Sequence, residues 1–101
     1  MELVTAAELE NLKTSGQPLL VDYFANWCGP CKALMPRLED LESNYPNVKF
    51  VKLNVDENAQ HSIDTGIRSV PTVIFYKNGT EFHRSSGANS NAFYKEVLND
   101  L

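Results

Sequence analysis

Residues Leu19–Ala25 read LLVDYFA, and only Asp22 among them carries a charge. Successive side chains of a strand point to opposite faces, so a half-exposed strand alternates apolar and polar residues. This segment does not alternate. Both of its faces must be covered, as they are for an inner parallel strand with helices packed above and below. Gln17-Pro18 turns the chain into the segment, and Asn26-Trp27 leads out of it to Cys28-Gly29-Pro30-Cys31.

The flanking sequence supplies the helices such a strand needs. Thr5-Ala6-Ala7-Glu8 has the spacing of a capping box, Leu9 and Leu12 share a face, and Gly16 offers a left-handed stop, which predicts a helix over 6–15. After Cys31, the residues Leu34, Leu38, Leu41 and Tyr45 recur at helical spacing. Pro30 suits the first turn of that helix, Pro36 falls inside it, and Pro46-Asn47 is the expected end. A second strand is expected at Val48–Val55, then a short helix capped by Asp56 that carries Ala59 and Ile63 and stops at Gly66. Thr72–Tyr76 reads as a third strand, and Lys77-Asn78-Gly79-Thr80 as a hairpin turn into an edge strand at Glu81–Ser85. Asn89 or Ser90 caps a last helix with Phe93, Val97, Leu98 and Leu101 inward. If Leu3-Val4 counts as a strand, the order is β-α-β-α-β-α-β-β-α. That order implies an α/β fold with a central mixed sheet and helices on both faces, as one domain over residues 1–101.

Composition excludes several classes. Apolar residues form 43% of the 101, enough for a core, and the net charge of −4 argues against a nucleic-acid partner, which wants a basic face. The segment MELVTAAELENL has neither the basic start nor the apolar stretch of a secretory signal, and no apolar run is long enough to span a bilayer. A soluble, cytoplasmic chain without a membrane or nucleic-acid partner is the expectation.

The two cysteines lie where a strand gives way to a helix. A bridge between Cys28 and Cys31 closes too short a loop to staple distant segments, so its use is sought in chemistry. Unpaired N–H groups and the positive end of the helix dipole favour an anion at a helix start, and Cys28 is the nearest titratable group. The thiolate is the nucleophilic form of cysteine. Cys31 follows about one turn later, within reach of the same sulfur; Gly29 lets the loop close and Pro30 stiffens it. A zinc centre would need four ligands, and the remaining candidates, His61 and His83, have no motif spacing and read as surface residues. No metal is expected. Asp22 is open to two readings on the residues alone, a solvent-facing carboxylate at a strand end or a buried one. Lys52 is equally open, as a neighbour of Asp22 on the next strand or a solvent-facing lysine.

Val21–Lys32 resembles the active-site segment of the thioredoxin family. The resemblance continues through Pro36, Lys52–Asp56, Ile67–Thr72, Lys77-Asn78-Gly79 and Gly87-Ala88, over essentially the whole chain. Phe24 stands where many relatives carry a second tryptophan. The resemblance implies the thioredoxin fold and a disulfide reductase in which Cys28 attacks a client disulfide and Cys31 resolves the mixed disulfide. It favours a buried Asp22 as proton acceptor for Cys31, with Lys52 its possible partner, and a cis Val70–Pro71 bond beside the pair. It implies a shallow client surface formed by Trp27, Gly29, Pro30, Val70, Pro71, Gly87 and Ala88. It also implies no bound cofactor beyond the redox-active Cys28–Cys31 disulfide. Reducing equivalents would come indirectly from NADPH through a thioredoxin reductase, the clients would be disulfide-bearing proteins, and the chain would act as a monomer. A redox-silent binding module is the second reading, against which the intact Cys-Gly-Pro-Cys pair speaks.

Overall fold

A computed structural model describes all residues, Met1–Leu101. The elements are β1 (Glu2–Leu3), α1 (Ala6–Thr14), β2 (Leu19–Phe24), α2 (Gly29–Glu42), β3 (Lys49–Asn54), α3 (Ala59–Thr65), β4 (Thr72–Lys77), β5 (Thr80–Ser86) and α4 (Asn91–Asp100). They form one sheet in the order β1-β3-β2-β4-β5. β1, β3 and β2 run parallel, β4 is antiparallel to β2, and β5 is antiparallel to β4. The non-alternating β2 is the middle strand, and all six of its side chains are buried.

Each face of the sheet buries its own core. On one, Leu20, Phe50, Val73 and Phe75 pack against Leu34, Leu38 and Leu41 of α2 and Tyr94, Val97 and Leu98 of α4. On the other, Val21, Tyr23, Leu53 and Ile74 pack with Leu9 of α1. Burying a large apolar side chain contributes about 1.5–3 kcal/mol, so β2, wedged between the two cores, anchors both layers.

Local signals account for most boundaries. Thr5 and Glu8 close the capping box at α1: Thr5 Oγ1 accepts from the Glu8 amide at 3.2 Å and Glu8 Oε1 accepts from the Thr5 amide at 2.9 Å. Asn78 and Gly79 both take positive φ in the hairpin turn. A Cβ on Gly79 would also meet the Lys13 carbonyl oxygen at 3.1 Å, so the turn needs glycine twice over. Ser90, not Asn89, caps α4, accepting from the Phe93 amide at 3.1 Å.

Three expectations are corrected. α2 ends at Glu42 rather than at Pro46-Asn47: Ser43-Asn44 leave the helix in a turn, and Tyr45, which precedes Pro46, is pushed away from helical backbone. Asp56 does not cap α3, which starts from Asn58 without any side-chain cap. His61 is no free surface residue: its ring stacks on Tyr23 and its Nε2 lies 3.0 Å from the Tyr23 hydroxyl.

Candidate active site

The chain leaves β2 at Phe24, crosses Ala25–Trp27 and enters α2 with Cys28 as its N-cap. Cys28 has extended backbone, and its Sγ accepts a hydrogen bond from the Cys31 amide at 3.2 Å. A sulfur thus takes the place that a serine or aspartate oxygen fills at an ordinary helix start. Its partners are an amide and the positive end of the helix dipole, and both favour the thiolate. Cys28 and Cys31 are joined by a disulfide with their Cα atoms 5.3 Å apart.

The pair is less open than its position at a helix start suggests. Cys28 is only 4% exposed and Cys31 only 1%. Phe24, Ala25, Met35, Val55 and Val70 pack around them. Access runs past the rim: Gly29 and Pro30 are exposed, and Trp27 is 72% exposed. Trp27 is held by its indole N–H, which donates to Asp56 Oδ2 at 2.9 Å. That bond explains why Asp56 is not the cap of α3.

The second wall is the loop before β4. The Val70–Pro71 peptide bond is cis, and the Val70 carbonyl oxygen lies 3.6 Å from Cys28 Sγ. Thr72 Oγ1 ties the loop by donating to the Ser69 carbonyl at 2.7 Å. The Gly87 amide donates to the Pro71 carbonyl at 2.8 Å and so seats Gly87-Ala88 beside the same loop. Trp27, Gly29, Pro30, Val70, Pro71 and Gly87-Ala88 therefore surround one disulfide. A cleft of about 240 Å³ runs from Trp27 and Val70 to Val55, Ile63, Ile67 and Arg68. Ile63 and Asp56 were not among the expected site residues; the one signal for Ile63 was an apolar side chain isolated on a short polar helix.

Asp22 lies in the middle of β2, on the face shared by Leu20 and Phe24. It is completely buried, and neither carboxylate oxygen has a hydrogen-bond partner. Burial pushes its pKa up to about 7, with the Lys52 charge pulling the other way. Lys52 is its register partner on β3 and Val73 its register partner on β4. Lys52 nonetheless forms no ion pair with it; the ammonium sits 3.5 Å from Met35 Sδ and 6.0 Å from the centre of the Phe24 ring. A buried carboxyl group poised near neutrality is equipped to exchange a proton.

His61 and His83 do not converge. His61 packs on Tyr23, and His83 lies between the Phe75 and Phe93 rings. No group of three His, Cys, Asp or Glu side chains is placed to hold a metal ion.

Comparisons with known proteins agree with this geometry. The thioredoxin family pattern matches residues 2–100. Thioredoxin-2 of Saccharomyces cerevisiae is 39% identical over 101 residues, covering 99% of this chain and 97% of that protein. The X-ray structure of Fasciola hepatica thioredoxin superposes with a TM-score of 0.91 at 38% identity, covering 99% of this chain and 98% of that one. A structure concerned with the thiol resolving mechanism in yeast mitochondrial 1-Cys peroxiredoxin via glutathione/thioredoxin systems also superposes at 0.91, with 33% identity over 100% of this chain and 95% of its own. A sulfur-capped helix, a Cys28–Cys31 bridge and relatives matched end to end lead to one conclusion: the chain belongs to the thioredoxin family of thiol–disulfide oxidoreductases.

Proposed function

We propose that the chain is a general protein-disulfide reductase working through Cys28 as nucleophile and Cys31 as resolving thiol. The observation that carries this reading is the hydrogen bond from the Cys31 amide to Cys28 Sγ at the start of α2. It singles out Cys28 as the sulfur best stabilised as an anion, while Cys31 lies a turn deeper.

The reaction proceeds in two exchanges. The Cys28 thiolate attacks one sulfur of a client disulfide; that bond breaks, one client sulfur leaves as thiolate, and a mixed disulfide forms. Cys31 then gives its proton to Asp22 and attacks Cys28 Sγ. The second client sulfur leaves and takes up a proton, and the Cys28–Cys31 bridge remains. Two electrons have passed from the pair to the client. Return of those electrons from NADPH through a thioredoxin reductase completes the cycle, which needs no bound metal or organic cofactor.

Client recognition in this reading is by backbone. An extended client segment lies along Val70 and Pro71, opposite Trp27, Gly29 and Pro30, with Gly87 and Ala88 at its other side. Strand-like pairing of this kind reads main chain before side chain, which suits many clients. The thioredoxin-linked peroxiredoxin work on the related yeast structure makes a disulfide formed by a peroxide-reducing enzyme one reasonable client class. The chain is read as a cytoplasmic monomer.

The test is catalysis of disulfide reduction in a test protein by a small dithiol. The purified chain should accelerate it well above the dithiol alone, with or without a chelator. A rate equal to the dithiol background would refute the reductase reading. A chelator-sensitive rate would refute the metal-free site.

A further inference from the structure

Beside the disulfide a second cleft of about 330 Å³ opens between β1, β3 and α2. Cys31, Phe24, Met35, Lys32 and Lys52 line it. Lys52 is the charged residue in register with Asp22, yet its ammonium is directed at the Met35 thioether, 3.5 Å away. A thioether is a weak acceptor, and a lysine with a carboxylate on the paired residue would ordinarily turn to the carboxylate. One feature keeps it in the cleft: Met35, half-buried against Cys31, offers the ammonium an acceptor at the cleft wall.

We infer that Met35 is a positioning residue for the resolving step: its sulfur holds the Lys52 ammonium off the Asp22 carboxylate, and oxidation of that sulfur switches the hold. The inference rests on the proposed role of Asp22 as proton acceptor. The groups that face Asp22 are few. In register with it are Lys52 on β3 and the non-titrating Val73 on β4; of α2, Cys31 packs with Phe24, Asp22's neighbour on the same strand face, and titrates only when reduced. Moving one ammonium therefore changes the largest charge acting on this carboxylate.

The modification is a two-electron oxidation by hydrogen peroxide. The peroxide O–O bond breaks, one oxygen bonds to Met35 sulfur, and the other leaves as water. The sulfoxide oxygen is a stronger, more negative acceptor than the thioether. It holds the ammonium more firmly in the cleft and adds a partial negative charge beside Asp22. Both effects disfavour the carboxylate. Met35→Leu has the opposite effect: with no acceptor in the cleft wall, Lys52 relaxes toward Asp22.

The experiment follows the Asp22 carboxyl carbon by NMR titration, together with the pH profile for decay of a mixed disulfide, in wild type, Met35→Leu and peroxide-treated protein. Treatment is carried out with the Cys28–Cys31 bridge closed, so that the cysteines are protected, and mass spectrometry assigns the added oxygen between Met35 and Met1. Met35→Leu should lower the Asp22 midpoint by about half a pH unit, and the Met35 sulfoxide should raise it by a similar amount. Unchanged midpoints in both, movement of both in one direction, or oxidation confined to Met1 would overturn the inference. Asp22→Asn separates this from failure of the underlying reading. If that variant keeps the wild-type pH profile of resolution, Asp22 is not the acceptor. If it loses the profile while Met35→Leu leaves the midpoint in place, the positioning role alone fails.

Discussion

Asp22 and Asn54 are both buried polar residues on adjacent inner strands, yet the protein treats them in opposite ways. Asn54, at the end of β3, is 3% exposed, and both of its oxygens are used. Its Oδ1 accepts from the Asp56 amide at 2.9 Å and the Glu57 amide at 3.2 Å, and its carbonyl accepts from Asn58 Nδ2 at 2.9 Å. Asn58 in turn accepts the Ala6 amide at 2.9 Å, which ties the start of α1 to the same knot. Asp22, two register positions back on β2, has no partner at all. A buried polar group normally costs stability unless its hydrogen bonds are made. Asn54 meets that rule and holds a loop, whereas Asp22 breaks it and keeps a carboxyl group able to exchange a proton near neutral pH.

The contrast is broken most forcefully at Asp22. Asp22→Asn should slow resolution of a mixed disulfide by about a hundredfold, a typical loss for a proton acceptor, as read by stopped-flow release of a client thiol. The same variant should fold more stably than wild type by about 2–4 kcal/mol at pH 8. The sign follows from the pKa of about 7, far above the unfolded carboxylate range. The native state holds its proton longer, so Asp22 costs stability from about pH 4 upward, and the cost levels off above pH 7. Denaturant unfolding at pH 4 and pH 8 checks this: the gap between variant and wild type should shrink at the lower pH. A variant less stable than wild type at pH 8 would mean that Asp22 has compensating partners.

Asn54→Ala should act in the opposite sense. Losing an acceptor for two loop amides should destabilise the fold by about 2–3 kcal/mol at both pH values, with no change in the pH profile of resolution. A pH-dependent loss would place Asn54 in the proton chemistry and erase the distinction. The smallest effect is expected at Lys52. Its charge lowers the Asp22 pKa, so Lys52→Met should move the midpoint for resolution above pH 7, and the variant should lose stability relative to wild type only where Asp22 is ionised. An unshifted midpoint would show that the ammonium does not act on Asp22 at its distance in this fold.

How much of this was legible in the sequence varied with the range of the contacts involved. β2 was plain because both of its faces are apolar, and the Asn78-Gly79 turn and the Thr5–Glu8 box are local chemistry. The sulfur cap at Cys28 followed from a cysteine set just before a proline-started helix. The burial of Asp22 was not decidable from neighbouring residues, since one carboxylate in an apolar run fits a strand end as well as a strand centre. The cis Val70–Pro71 bond carried no local signature and was suggested only by family resemblance. Asp56 looked like a helix cap, but the side chain of Asn54 takes the amides around it and the Trp27 indole claims its carboxylate, a partner 29 residues away. The Tyr23–His61 and Met35–Lys52 contacts are likewise long-range, and nothing in the intervening sequence announces them.

The most direct test of the account is to trap the mixed disulfide with single-cysteine variants and resolve the products on a non-reducing gel. Cys31→Ser retains the nucleophile but cannot resolve, so it should accumulate covalent complexes with disulfide-bearing clients, which a dithiol releases. Cys28→Ser retains only the deeper thiol and should accumulate none. Complexes on Cys28→Ser and none on Cys31→Ser would reverse the two roles and contradict the assignment of Cys28 as the attacking sulfur.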